Sequence, residues 1–355
     1  MNKLLINDLD SITTDVGKVL MDIKNANIFI TGGTGFIGKW LIESILFANE
    51  KLNLNAKISI LSRNPKSFKV KFPFIACHNE ITILQGDIRN FNFPNAQVDY
   101  IIHAATESSA KLNVENPLLM SDVIINGTRH LLDFAVKCSA KRVLFLSSGA
   151  VYGKQPEEIK GFKEDFWGAP DQLAIGSAYA ESKRMAEFLC ATYARQYNIG
   201  ISVARCFAFV GPYFPLDTHF AIGNFINDGL LGRDIVITGN GAPLRSYMYA
   251  SDMVVWLLTI LLKGKTGEAY NVGSAKAISI KDLATTVAGF FPGIKVNILN
   301  QVRSTDRNQN YIPDISKSEK TLNLQLTVNI RDAIKKTILF HQLNRQKSIL
   351  SLCWH

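Results

Sequence analysis

A chain of 355 residues with 47% hydrophobic and 19% charged side chains carries enough apolar content for a sizeable core, which excludes a disordered chain. Its net charge of +9 comes from Lys and Arg scattered along the sequence, without a basic stripe or interleaved aromatics, so it favours an anionic small ligand only weakly and nucleic acid is not expected. Cys77, Cys138, Cys190, Cys206 and Cys353 show no Cys-x-x-Cys spacing and the six histidines no His-Glu-x-x-His, so the reading is free buried thiols in a reducing cytosol and no metal.

Residues 1–25 precede the first strand-like run and read as an N-terminal extension with its own helix. Asp8, Asp10 and Asp15 break up their apolar character, and no basic segment followed by an apolar one opens the chain. The longest apolar run, Met253 to Leu262, is about half of the ~20 residues a membrane span needs. A cytoplasmic protein with no membrane partner is expected.

Residues 26–212 alternate short apolar β-branched runs with helical patterns. Ile28–Ile30, Ile58–Leu61, Ile81–Leu84, Tyr100–Ile102, Val143–Leu146 and Ile201–Ala204 are nearly continuous and bounded by polar residues, as strands buried on both faces of a parallel sheet are. Stretches such as Phe36–Ala48 and Gly176–Tyr197 repeat apolar residues at helical spacing. The expected fold is α/β, a doubly wound Rossmann sheet.

Gly32-Gly33-Thr34-Gly35-Phe36-Ile37-Gly38 follows the first strand and opens the first helix of that alternation. Glycines at such a turn make it tight, let backbone approach a pyrophosphate and let helix lie close on sheet, while the helix N-terminus offers N–H groups to the anion. Gly32, Gly35, Phe36, Ile37 and Gly38 are therefore read as dinucleotide-binding. The second strand ends in Ser62-Arg63, where enzymes selective for NAD place an acid that accepts from the ribose 2′-hydroxyl. A guanidinium there pairs with a 2′-phosphate, so NADP(H) is preferred, with NAD(H) the alternative.

Ser148 ends the fifth strand at the carboxyl edge of the sheet, where ligands bind in this architecture. Tyr179 and Lys183 share a helix face, and the spacing predicts an ammonium that lowers the phenol's pKa toward what a proton donor needs. Tyr152 is the next candidate for the acid.

After Gly211-Pro212 the rhythm shortens. Residues 213–345 read as a smaller C-terminal substrate-binding lobe interleaved with the sheet. Its helices are expected near Phe220–Leu231, Asp252–Leu262, Ser279–Phe291 and Asn329–His341, its strands near Ile235 and Tyr270, and a tail over 346–355. Ser279 with Asp282 and Asn329 with Asp332 look like helix caps.

Taken together, these motifs resemble the extended short-chain dehydrogenase/reductase family of nucleotide-sugar epimerases, dehydratases and reductases. The resemblance rests on Thr31–Gly38, Gly86-Asp87, His103-Ala104-Ala105, Asn126-Gly127-Thr128, Ser147–Gly153, Tyr179–Lys183, Gly211-Pro212, and Arg245 with Tyr249–Asp252. It implies that Asp87 and Ile88 hold the adenine end, that Ala104, Ala105 and Phe207 line the cofactor with Tyr179 and Lys183, and that Thr106, Ser148, Asn224 and Arg245 meet a nucleotide-diphosphate sugar. It also implies a homodimer through helices near Leu118–Ser139 and Gly176–Tyr197. Where sugar 4,6-dehydratases carry an Asp-Glu pair, this chain has Gly149-Ala150, which cannot move a proton. Ala208 replaces the Asn that many relatives carry before Gly-Pro. The resemblance thus implies NADPH-dependent reduction of a nucleotide-linked 4-keto-6-deoxy sugar, as in surface-polysaccharide and lipopolysaccharide O-antigen biosynthesis. A 4-epimerase is the alternative, and a non-catalytic NADP-binding sensor a third reading.

Overall fold

Seven strands form one parallel sheet in the computed structural model, which describes residues 3–106, 110–218, 220–300 and 309–352. In chain order they are β1 (Asn27–Thr31), β2 (Lys57–Ser62), β3 (Ile81–Gln85), β4 (Tyr100–His103), β5 (Arg142–Ser148), β6 (Gly200–Cys206) and β7 (Ala269–Val272). Their spatial order is β7-β6-β5-β4-β1-β2-β3, so strand order reverses between β1 and β4. A crevice opens at such a reversal, outside the carboxyl ends of the strands.

The side-chain period of a strand explains why these runs are continuously apolar. Ile28 and Ile30 of β1, with Leu144 and Leu146 of β5, enter the core on one face, whereas Phe29, Val143 and Phe145 enter the core on the other. The first face is covered by α1 (Lys3–Leu20), α2 (Phe36–Leu52) and, later in the chain, the helix Ala250–Lys263. The second face is covered by α3 (Pro117–Lys137) and α4 (Ala178–Tyr197). The N-terminal helix is a working part of the core: Leu5, Leu9, Ile12 and Val16 are buried, and Asp8 accepts from the Tyr249 hydroxyl at 2.6 Å.

Beyond β6 the chain builds a third core from α5 (Ala221–Leu230), the helix Ile280–Ala288 and the parallel strands Ile235–Ile237 and Val296–Ile298, with Ile226, Leu283 and Ile334 buried between them. It then returns, since the helix Ala250–Lys263 and β7 both pack on the sheet domain. Both expected caps form: Ser279 Oγ accepts from Asp282 N–H at 3.0 Å, and Asn329 Oδ1 from Asp332 N–H at 3.0 Å. The last helix, Ile330–Leu352, runs past His341 because no Gly or Pro follows to stop it.

No helix among the described residues is long and apolar enough to cross a membrane, and no group of three or more His, Cys, Asp or Glu among them could hold a metal ion. The described cysteines are free. Cys77, expected to be buried, is exposed beyond a short surface helix, and Cys353 lies outside the described residues.

Candidate active site

Between the start of α2 and the third core lies a cavity of about 890 Å³, walled by Gly32, Gly35, Phe36, Ile37 and Gly38 at one end and by Ser148, Tyr179 and Lys183 at the other. The glycine turn is tight because nothing larger fits. Gly32 has φ +70°, and a Cβ there would lie 2.5 Å from the Ala104 carbonyl carbon; one on Gly38 would lie 2.4 Å from Gly32 O. Gly35 caps α2, whose first N–H groups have no helical partner. This cradle fits a dinucleotide pyrophosphate: the glycines let backbone close on backbone, and the unpaired N–H groups that open α2 lie at the cavity wall.

A buried imidazole holds the turn in register with β4. One nitrogen of His103 bonds Thr31 Oγ1 at 2.8 Å and the other Thr128 Oγ1 at 3.0 Å, while Thr31 Oγ1 also accepts from Ala105 N–H at 3.1 Å. Burial brings the His103 pKa down to about 3, so the ring is neutral, with one donor and one acceptor nitrogen for the two hydroxyls. Next to Thr128, a Cβ on Gly127 would stand 2.8 Å from Ile88 Cγ2. The Asn126-Gly127-Thr128 motif thus couples α3 to the ends of β3 and β4.

Ser62, Arg63, Asp87 and Ile88 follow or end β2 and β3 at the same sheet edge, outside the cavity wall. Arg63 is exposed. Asp87 accepts from Arg89 Nε at 2.9 Å and Nη2 at 3.0 Å, and these bonds, with Arg63 adding its charge, hold its carboxyl below the usual range. Ile88 is buried under Gly127.

At the other end, Lys183 is buried and donates to Leu146 O at 2.7 Å, with its ammonium over the Phe145 ring at 4.7 Å and 6.0 Å from the centre of the Tyr179 ring. Burial lowers its pKa to about 8. The Tyr179 phenol is pushed up to about 12 by burial, against the Ser148 side chain, which favours the phenolate. The expected lowering by Lys183 is not what this structure shows: the ammonium is anchored on a backbone carbonyl, and desolvation dominates. Tyr152 is ruled out as a substitute acid. It is buried away from the cavity, donates to Asn271 Oδ1 at 2.8 Å and accepts from Arg205 at 2.9 Å.

The cavity wall also includes Ala104, Thr106, Phe207, Ala208 and Arg245. Thr106 Oγ1 is buried with no hydrogen-bond partner among the described residues. Arg245 donates to the carbonyls of Leu244 and Gln309. Ala105 stands just behind the wall, and Asn224 is exposed on α5, away from it. Several residues of the wall carried no signal in the sequence, Asn113 and Tyr311 among them. Asn113 Oδ1 accepts from the Tyr179 backbone N–H at 2.9 Å and so fixes the start of α4; Tyr311 reaches the wall from a distant segment.

The model of the NAD dependent epimerase/dehydratase family matches residues 28–273. UDP-glucuronic acid decarboxylase 3 of Arabidopsis thaliana is 30% identical over 311 residues, covering 87% of this chain and 87% of that protein. UDP-glucuronic acid decarboxylase 6 of the same plant is 29% identical over 312 residues, covering 88% and 87%. Among solved structures, a UDP-N-acetylglucosamine 4-epimerase from Methanobrevibacter ruminantium superposes with a TM-score of 0.78 at 24% identity, over 90% of this chain and 99% of that one. A dTDP-glucose 4,6-dehydratase from Streptomyces venezuelae gives 0.77 at 23% identity, over 90% and 98%.

Proposed function

Since the chain belongs to the NAD dependent epimerase/dehydratase family, we propose that it is a dinucleotide-dependent enzyme acting on a nucleotide-diphosphate sugar, and that the reaction is NADPH-dependent reduction of a 4-keto-6-deoxy sugar. The observation that carries this reading is the pairing of Ser148 and Tyr179 at the cavity wall beside Gly149 and Ala150, neither of which can move a proton. One proton donor without an acid–base partner at the adjoining positions suits chemistry at a single carbon and not elimination across two.

In this reading the glycine turn and the N-terminus of α2 hold the cofactor's pyrophosphate, which agrees with the fit of the cradle. The reduced nicotinamide supplies the hydride. Ser148 orients the sugar carbonyl, Tyr179 gives its phenolic proton to the nascent alkoxide, and Lys183 steadies Tyr179 and meets the ribose. Thr106 and Arg245 meet the nucleotide sugar. Arg63 supports NADPH, because it directly follows the end of β2, where a guanidinium can pair with a ribose 2′-phosphate. Epimerisation at the same carbon is the second reading; it is favoured by the exposure of Arg63 on the rim of the site, outside the cavity wall. Exposed Leu118 on α3, with Met185 and Phe188 on α4, supports a homodimer through those helices.

Loss of reduced-nicotinamide absorbance decides the reaction. NADPH should be consumed in step with a supplied dTDP-, GDP-, CDP- or UDP-linked 4-keto-6-deoxy sugar, and dTDP-glucose or UDP-glucuronic acid should be left unchanged. Interconversion of 4-hydroxy epimers without added NADPH, or release of carbon dioxide from UDP-glucuronic acid, would refute the reductase reading.

A further inference from the structure

The space that a side chain at position 149 would fill is taken from elsewhere in the chain. A Cβ on Gly149 would stand 2.5 Å from the Tyr311 hydroxyl oxygen and 2.6 Å from Cζ of Phe207. Tyr311 is held on several sides. Its backbone N–H donates to Leu244 O at 3.2 Å, the next residue's N–H donates to Gln155 Oε1 at 2.9 Å, and its ring lies 4.7 Å from that of Phe207. Tyr311, Tyr179 and Ser148 all line the cavity, and the Ser148 side chain eases the ionisation of both phenols.

Ser148 has little freedom in answering them. A hydroxyl has one hydrogen and two lone pairs. One lone pair of Ser148 Oγ accepts from Ala150 N–H at 3.2 Å. The second can take the hydrogen of one phenol, which leaves the serine hydrogen for the other. Tyr311 is fixed by main-chain bonds and its ring contact, which suits it to be the constant donor. Tyr179 is the group whose oxygen must alternate between phenol and phenolate.

We propose that Tyr311 is a positioning residue of this active site: it donates to Ser148, turns the serine hydrogen toward the Tyr179 oxygen, and so stabilises the phenolate that forms when Tyr179 gives up its proton. This rests on the reading of Ser148 and Tyr179 as the proton-transferring pair. It also accounts for Gly149, since a larger residue there would displace the Tyr311 hydroxyl. The other titratable groups facing the pair are the Lys183 ammonium, the Cys206 thiol and the Tyr152 hydroxyl, and the described cavity-lining residues include no carboxylate.

Tyr311→Phe keeps the ring and deletes only the hydroxyl. With dTDP-4-keto-6-deoxyglucose and NADPH, kcat should fall about 3–10-fold, the worth of one ordinary hydrogen bond, with KM within about twofold. The alkaline limb of the kcat profile should move to higher pH, because Tyr179 loses help in becoming phenolate. The NMR resonance of Tyr179 labelled with ¹³C at Cζ, assigned by Tyr179→Phe, should shift in Tyr311→Phe and stay in place in Tyr197→Phe, a change on the exposed side of the same helix. Wild-type kcat, limb and resonance in Tyr311→Phe overturn the proposal. So does lower activity with an unmoved limb and resonance, since that is what lost packing alone produces. If the wild type turns over no supplied sugar, the functional reading fails separately, and the NMR comparison still decides the role of Tyr311.

Discussion

Lys183→Met separates what this lysine costs the fold from what it does for the chemistry. The ammonium is buried, and its pKa falls from 10.5 to about 8 because desolvation penalises the charged form. At about 1.4 kcal/mol per tenfold, that fall corresponds to roughly 3 kcal/mol, an order-of-magnitude figure. Below about pH 8 the lysine is charged in both folded and unfolded chains, and the penalty is fully present. Between about 8 and 10.5 the folded chain gives up its proton first, so the unfolded chain binds more protons and stability rises with pH. Methionine has no such dependence; it only leaves Leu146 O without its donor, a constant cost of about 1–3 kcal/mol. Lys39, also lowered to about 8 by burial, titrates in the same window but is common to both proteins and cancels in the comparison. Urea unfolding of both proteins at intervals from pH 7 to 10 should therefore show wild type gaining on Lys183→Met by up to roughly 3 kcal/mol, while turnover by the variant falls by ~10²–10⁴-fold at every pH. Parallel stability curves across that window would show that the lysine carries no burial penalty, and a fully active variant would remove it from the chemistry.

Tyr179→Phe should lower turnover by ~10²–10⁴-fold with cofactor affinity retained, measured by NADPH consumption and by fluorescence titration. Arg63→Ala should weaken NADPH binding by ~1.5–3 kcal/mol and leave NADH unchanged, and a wild type that prefers NADH would favour the epimerase reading. Gly38→Ala should abolish dinucleotide binding, since its Cβ meets Gly32 O at 2.4 Å; calorimetry with NADP and NAD tests this, and retained affinity would place the pyrophosphate elsewhere.

Local pattern was sufficient wherever one element carried the information. The strands around Phe29 and Phe145 were legible because a strand buried on both faces has no polar alternation to obscure it. The glycine turn was legible because strand, glycines and helix are contiguous, and Tyr179 with Lys183 because helical spacing puts them on one face. The caps at Ser279 and Asn329 are interactions across three residues of chain and needed no fold to be seen.

What only tertiary structure decided are relations between distant segments and the solvation of their groups. Residue spacing brings Lys183 near Tyr179, but burial shifts both groups, in the direction opposite to the one charge proximity suggests. Tyr152 could not be told from an acid in reserve until Asn271 and Arg205 were found on its hydroxyl. Asn113 fixes the start of a helix 66 residues away, and Tyr311 fills the gap at Gly149 from the far side of the lobe. A sequence records that Gly149 lacks a side chain. Which residue occupies the space it leaves depends on how the chain returns to the sheet, and no local propensity or periodicity encodes that return.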